Sequence, residues 1–357
     1  RPSTLSPFVV DTMLKQQLNF NGLIFTDALN MKGVSSYYES GELEVAALLA
    51  GNDVLLFPED IPAAFKAIKR AIRDSVLTVE RIDSSCSKIL KAKEWLGLTK
   101  PVELDTLNVL ERATVKKRTL LTSKLEKAAL TLVKNQNDNL PIRTLKNKKI
   151  AVLALGDSDS NAFVNQLKRY ADVKVFDTSI DEPSDFDQLI VSIHKSTVSP
   201  WKSYKISVFE KELIEKYSKQ TLVSLVVFAN PYSLLNANYL AQVNSILMAY
   251  QNTQGMQSLA AQCIFGAISV NGKLPVSLST DFTAGLGIET RSLNRLKYAH
   301  AEALGFNKDT LALIDSIAQY AINIKATPGC QVLVAKDGAV VYSKSFGFHT
   351  YDSLVPV

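Results

Sequence analysis

Between Gln220 and Gly272 the chain carries no Asp, Glu, Lys, Arg or His, a run of 53 residues in a sequence of 357. Few folds can bury so long an uncharged stretch. A membrane-spanning helix needs about 20 nearly unbroken apolar residues, and Asn230, Pro231, Asn236, Asn238, Gln242, Asn244 and Gln251 interrupt every window. The pattern suits the centre of a parallel sheet instead. Strands there are covered on both faces and lose the alternation of polar and apolar residues. TLVSLVVFA (221–229) and SILMAY (245–250) are the strand-length runs, and Gln254 to Phe265 is the packing helix.

The segments upstream of this block alternate in the same way. KIAVLALG (149–156), DVKVFD (172–177) and QLIVSIH (188–194) read as strands, with helices at Asn161 to Tyr170 and at VFEKELIEKYS (208–218). AALTLVKN (128–135) fits a helix or a strand, and GKLPVSL (272–278) closes the region. Together they predict a doubly wound α/β domain.

The first hundred residues repeat the alternation on a smaller scale. Helical spacing at 7–18 precedes a buried strand, GLIFTDAL (22–29). A helix from Glu42 to Ala50, a second strand DVLLFP (53–58), a helix from Ile61 to Asp74 and a long helix from Val79 to Leu98 stopped by Gly97 follow. Two buried strands about 30 residues apart with a helix between them form the βαβ unit of a parallel sheet. Pro101 opens a connector that runs into a basic helix at Glu111 to Leu120. At the other end, Leu311 to Ile324 is amphipathic, and CQVLVAKDGAVVYSKSFGF (330–348) is a hairpin turned at Lys336-Asp337-Gly338. One helix and one hairpin bury too little to stand alone, so a third domain is expected to be incomplete.

Composition narrows the function classes. With 46% hydrophobic and 21% charged residues the chain is neither disordered nor a coiled coil. Its net charge of +5 is diffuse, with no Lys/Arg run longer than three, which argues against a nucleic-acid partner. Cys86, Cys263 and Cys330 lie far apart with no C-x-x-C, so no zinc site or disulfide framework is expected. The chain opens on Arg1 rather than Met, and an upstream portion is expected.

Asp27 is the foremost candidate for chemistry. It falls at the carboxyl end of a predicted buried strand, where parallel α/β barrels keep reacting groups, although turn and cap aspartates occupy such positions too. Around it, FNGLIFTDALNMKGV (20–34), AALLAGNDVLLFPED (46–60) and RIDSSCSKILKAKEWLGL (81–98) resemble the end of the catalytic barrel of glycoside hydrolase family 3, and more narrowly its β-N-acetylglucosaminidase branch. Where β-glucosidases of the family usually carry Ser-Asp-Trp, this chain has Thr26-Asp27-Ala28-Leu29-Asn30-Met31. AALTLVKNQNDNLPI (128–142) and YQNTQGMQSLAAQCIFGAISVNGKLPVSL (250–278) are similar to the α/β sandwich that follows the barrel. PGCQVLVAKDGAVVYSKSFGFHTYD (328–352) resembles the opening of a β-lactamase-type serine hydrolase domain, and the chain stops before that family's Ser-x-x-Lys nucleophile is due.

The resemblance implies the last βα units of a (β/α)8 barrel over 1–100 and a linker over 101–122. It places an α/β sandwich with a mainly parallel sheet over 123–292 and the start of an α+β serine-hydrolase-like domain over 293–357. It implies a retaining exo-acting β-N-acetylglucosaminidase with Asp27 as nucleophile and no metal or cofactor. Met31, four residues past Asp27, fits either a lining residue of the sugar pocket or ordinary packing. The partners it implies are β-linked GlcNAc saccharides or cell-wall fragments, and export to the periplasm is favoured over the cytoplasm. The branch places its acid/base His on a Pro- and Gly-rich loop earlier in the barrel. His194, His300 and His349 all follow the barrel segment and lack those flanks. The first six barrel strands are therefore expected to precede Arg1, leaving this chain without glycosidase activity alone. The alternatives are a serine hydrolase or esterase on a family 3 scaffold, a β-glucosidase of the same family, and an inactive binding module.

Other motifs carry structural readings. Ser85-Cys86-Ser87-Lys88 and Ser199-Pro200-Trp201-Lys202 fit Ser-x-x-Lys, the first as a small helix residue facing the barrel and the second by chance. Gly156-Asp157 follows a strand but lacks the further glycines of a phosphate loop. His194 reads as a polar strand terminus near a domain junction, Cys263 as core, and Asp53 as a carboxylate bonding backbone amides at the stability face of the barrel.

Overall fold

The computed structural model describes residues 2–36, 38–100, 116–196, 199, 201–235, 238–352 and 354–357. The connector at 101–115, the start of the basic helix expected at Glu111 and Pro200 of the second Ser-x-x-Lys match lie outside the described residues. The chain divides into two compact units, Arg1–Leu107 and Asn108–Val357.

In the first unit the strands β1 (Phe25–Ala28) and β2 (Val54–Leu56) pair in parallel. The helix α1 (Glu42–Ala50) lies between them in sequence. Its start is set by Glu44, whose carboxylate accepts the Gly41 amide at 2.8 Å, and its end by Gly51 in the left-handed region (φ 111°). Asp60 caps α2 (Ile61–Arg73), and Thr78 caps α3 (Val79–Trp95). The segment Phe8–Gln17 is helical as the spacing predicts, but wound wide, with the Leu18 amide bonding the Met13 carbonyl. Leu5, Leu29, Leu43 and Ala47 form one small core, and Leu48, Ala71 and Leu77 another.

The second unit begins with α4 (Lys116–Ala129) and is built on six strands. These are β3 (Thr131–Asn135), β4 (Ile150–Gly156), β5 (Val173–Val175), β6 (Gln188–His194), β7 (Val223–Phe228) and β8 (Ser245–Met248), in the order β3-β8-β7-β6-β4-β5. All pairs are parallel except β3 with β8. The segment 128–135, which fits either state, thus splits into a helix end and an antiparallel edge strand.

The alternation of side chains explains the charge-free block. Ile190, Val226 and Phe228 enter the core shared with Phe163 and Ile264, while Leu189, Val191, Ile193, Leu225 and Val227 enter the opposite core with Ile214. The first face is closed by α5 (Asn161–Lys168) and α7 (Gln254–Ile264), the second by α6 (Val208–Ser218). Successive residues of one strand serve two dry layers, so charged side chains are excluded, and the polar residues present, Gln188, Ser192, His194 and Ser224, are buried and hydrogen-bonded. Each apolar side chain contributes about 1.5–3 kcal/mol of burial, and no position of β6 or β7 leaves room for a solvated charge.

The tail of this unit is a second sheet, ordered β10-β11-β9, from β9 (Lys297–Tyr298), β10 (Gly329–Lys336) and β11 (Ala339–Gly347). The hairpin turns at Asp337 (φ 50°) and Gly338 (φ 70°), the left-handed pair that a two-residue loop requires. Its third strand, β9, pairs in parallel with β11 and was not evident from the two-residue run Lys297-Tyr298. The amphipathic helix α8 (Lys308–Asn323) packs on β11, where Asp315 accepts from the Tyr342 hydroxyl and the Lys344 ammonium, both at 2.5 Å.

Candidate functional site

β1 ends in a bulge. The register shifts between Phe25 and Ala28, and the ladder is completed by a side chain: buried Thr26 accepts the Leu56 amide on Oγ1 at 2.9 Å. Strand alternation puts Ile24 and Thr26 on the packed side, while Phe25 and Asp27 face outward and are exposed. The Leu29 amide bonds the Leu56 carbonyl at 2.9 Å and the Asn30 amide bonds the Phe57 carbonyl at 3.2 Å, which ties the turn after Asp27 to the end of β2. Phe57 holds a left-handed backbone (φ 46°), a rare conformation for an aromatic residue and one that clusters at functional sites.

Asp27 itself is lightly held. The Ala28 amide donates to Oδ1 at 2.8 Å, and among the described residues no other donor or cation engages the carboxylate. Met31 closes the Ala28–Met31 turn and precedes the short helix Lys32–Ser35, its side chain exposed. An exposed carboxylate at the carboxyl end of a parallel strand pair, with an oxygen free, can act as a nucleophile or as a charge partner. Thr26 and Phe57 are the site residues that sequence reasoning missed. Both lie within the quoted family segments, but a bulge and a positive φ leave no imprint on residue type, so neither role was readable there.

The other candidates separate cleanly. Asp53 lies at the amino end of β2, away from Asp27 along the strands, and is buried. It accepts the Ile24 amide at 3.1 Å, as expected of a carboxylate bonding backbone. It also takes Ser85 Oγ at 2.6 Å and Lys88 Nζ at 3.1 Å, with Arg81 at 3.6 Å. Both ends of the Ser85-x-x-Lys88 match therefore converge on one structural carboxylate, and Ser85 is more than a small residue facing a barrel. Burial alone would push the Asp53 carboxyl up; the Ser85, Lys88 and Ile24 hydrogen bonds outweigh it and hold it below its ordinary value.

In the second unit His194 is fully buried at the end of β6 and stacks on Phe228 with ring centroids 4.6 Å apart. Its tautomer follows from its neighbours. The Phe163 amide donates to Gln257 Oε1, so Gln257 Nε2 is the donor to Asn252 Oδ1, and that oxygen accepts the His194 Nδ1 proton at 2.7 Å. Nε2 then accepts from Ser192 Oγ at 3.0 Å. Burial lowers the imidazole's proton affinity, with Asn252 and Asp159 opposing. Cys263 is core as expected, its thiol pushed up by complete burial. Among the described residues no group of three or more His, Cys, Asp or Glu is placed to hold a metal ion, and no helix is long and apolar enough to cross a membrane.

Fold and geometry thus define a two-unit α/β protein with a mostly parallel central sheet and an exposed carboxylate ending a parallel strand pair. The profile of the Glycosyl hydrolase family 3 N terminal domain matches residues 1–92, and that of the Glycosyl hydrolase family 3 C-terminal domain matches residues 130–311. The chain belongs to glycosyl hydrolase family 3. It is 23% identical over 310 residues to a beta-N-acetylglucosaminidase/beta-glucosidase of Cellulomonas fimi, covering 80% of this chain and 53% of that protein. It is 25% identical over 333 residues to a beta-xylosidase of Formosa agariphila, covering 78% and 46%. The structure of a glycoside hydrolase family 3 beta-N-acetylglucosaminidase from Paenibacillus sp. str. FPU-7 superposes with a TM-score of 0.56 at 24% identity, over 78% of this chain and 55% of the other. The chain spans about half the length of the curated relatives it matches.

Proposed function

We propose that this chain supplies the nucleophile of a retaining exo-β-N-acetylglucosaminidase, and that the nucleophile is Asp27. The observation that carries the reading is the placement of Asp27, exposed at the carboxyl end of β1 with one oxygen unengaged by the described residues. In the reaction the Asp27 carboxylate attacks the anomeric carbon as the leaving oxygen is protonated. Water then cleaves the glycosyl–aspartate ester with retention. Met31 borders the bound sugar. On this reading the acid/base group is the histidine of the resembled branch, which lies outside the first unit since residues 1–107 contain none. β1 and β2, read as the last two strands of a (β/α)8 barrel, await neighbours on both sides, and exposed Phe25 (58%) and Phe57 (66%) mark the face those strands would cover. The preference for GlcNAc rests on Thr26 to Met31, which stand where β-glucosidases of the family usually carry Ser-Asp-Trp; the Cellulomonas relative is named for both GlcNAc and glucose. The helix α8 and the hairpin β10–β11 are read as the first elements of a serine-hydrolase-type domain.

The test is mechanism-based labelling. With the barrel complete, a 2-deoxy-2-fluoro glycosyl inactivator attaches to the peptide containing Asp27, and Asp27→Asn lowers kcat by at least about a thousandfold on aryl β-GlcNAc, with aryl β-glucoside and β-xyloside turned over more slowly. The 357-residue chain alone gives no turnover above background. A label on another residue, or full activity in Asp27→Asn, overturns the assignment.

A further inference from the structure

We infer that Thr26 is a positioning residue for the nucleophile, its hydroxyl setting the height of Asp27 against the end of β2. The inference rests on the reading of Asp27 as nucleophile and adds to it a second residue of the first unit that the reaction needs.

The two strands fall out of step at this point. Phe25 stands opposite Val54, so a regular ladder would bring Asp27 opposite Leu56, yet Ala28 stands there instead. β1 thus uses one residue more than β2 over the same stretch. An extra residue disrupts the ladder and leaves a backbone group to be satisfied some other way. Here the Leu56 amide is taken by the Thr26 hydroxyl at 2.9 Å. Thr26 is 3% exposed, so water has little access to that bond. Branching at Cβ leaves the side chain few open rotamers, which helps to keep Oγ1 aimed at β2.

Leu56 is gripped at both ends of its backbone. Its amide goes to Thr26, and its carbonyl receives the Leu29 amide at 2.9 Å. Both anchors close on one residue, and Asp27 and Ala28 are all that lies between them. One step on, the Asn30 amide bonds the carbonyl of Phe57, whose backbone is left-handed. The Asp27 carboxylate engages only the Ala28 amide among the described residues, so its place follows from where the backbone is pinned. Without the Oγ1 acceptor the Leu56 amide loses its partner. The ladder then regains a full set of bonds by slipping toward regular pairing, with Asp27 opposite Leu56. One residue of strand is a rise of about 3.3 Å, whereas a misplacement of about 1 Å already costs a reaction about a hundredfold.

The test has two arms. In the 357-residue chain, amide hydrogen exchange is followed at Leu56 and, as the folding control, at Asp53 and Val54, whose amides bond the Ile24 carbonyl at 2.8 and 3.0 Å. Thr26→Val speeds exchange at Leu56 at least about tenfold and leaves Asp53 and Val54 protected, while Thr26→Ser keeps all three protected. With the barrel complete, Thr26→Val lowers kcat on aryl β-GlcNAc at least about tenfold with KM within about twofold, and Thr26→Ser brings kcat back to within about threefold of the parent. Unchanged exchange at Leu56, equal loss of protection at all three amides, undiminished kcat in Thr26→Val, or a loss that Thr26→Ser does not restore overturns the role of Thr26. An inactivator that fails to label Asp27 in the parent enzyme strikes the nucleophile reading itself, and the inference with it; the parent's labelling thus tells the two failures apart.

Discussion

The Ser85 hydroxyl donates to the Asp53 carboxylate at 2.6 Å, across the first unit from helix α3 to the start of β2. Lys88, one turn on, reaches the other oxygen at 3.1 Å, and Arg81 bonds the Asn52 carbonyl at 2.6 Å. The Ser-x-x-Lys spacing puts both groups on one helix face, and the buried acid uses that face as its counter-charge. Asp53→Asn leaves two cations facing a neutral amide and destabilises the first unit by about 2–4 kcal/mol. The pH sign follows from the lowered carboxyl. Its stabilisation is complete above the unfolded value of 3.8 and is lost as pH falls through the lower folded value. Urea midpoints from pH 6 down to about 3 should therefore fall more steeply for the parent than for Asp53→Asn, and parallel profiles would refute the role.

His194 makes the second unit acid-sensitive in a different window. The imidazole is buried neutral, and burial holds its proton affinity below the ordinary value of 6.5. The unfolded chain takes up a proton near that value while the folded chain does not, so stability is full above 6.5 and declines as pH falls below it. His194→Phe keeps the stack on Phe228, forfeits the Asn252 and Ser192 bonds and removes this slope. Denaturation of the second unit between pH 5 and 7.5 checks it; an unchanged slope in the variant would sink the idea.

Gly156 has φ 115°, and a Cβ there would sit 2.1 Å from the His194 carbonyl oxygen. That oxygen also accepts the Asp157 amide at 3.1 Å. Gly156→Ala is expected to cost about 3 kcal/mol or more, because the strand end must shift and the backbone is strained as well. Thermal unfolding of the variant measures it, and a midpoint equal to the parent's would show that the loop gives way freely.

Lys195 and Glu210 form a buried pair at 2.8 and 3.0 Å, with each side chain under a tenth exposed, and Glu210 also accepts the Ser207 amide at 2.6 Å. Glu210→Gln strands a charged ammonium and costs about 3–5 kcal/mol. Lys195→Met with Glu210→Gln recovers most of that loss, since an apolar replacement removes the desolvated charge. A double variant as unstable as the single one would show that the Ser207 cap, not the ion pair, dominates.

The residues themselves determined where strands and helices lie. The uncharged run from Gln220 could only be the doubly covered centre of a sheet, and Gly51, Asp60 and Thr78 mark helix ends in their own right. That Asp27 falls at the end of a strand was legible because a carboxylate closing an apolar run is a local pattern. Pairing was not legible. Whether 131–135 runs against or along its neighbour, that Lys297-Tyr298 joins the hairpin, and that Thr26 replaces a backbone bond at the bulge depend on distant residues, the farthest pair being Thr131 with Met248. The same holds for Asp53 and Ser85, whose partnership spans 32 residues. Local preference is encoded by neighbours along the chain, whereas burial and charge pairing exist only after distant segments have excluded water between them.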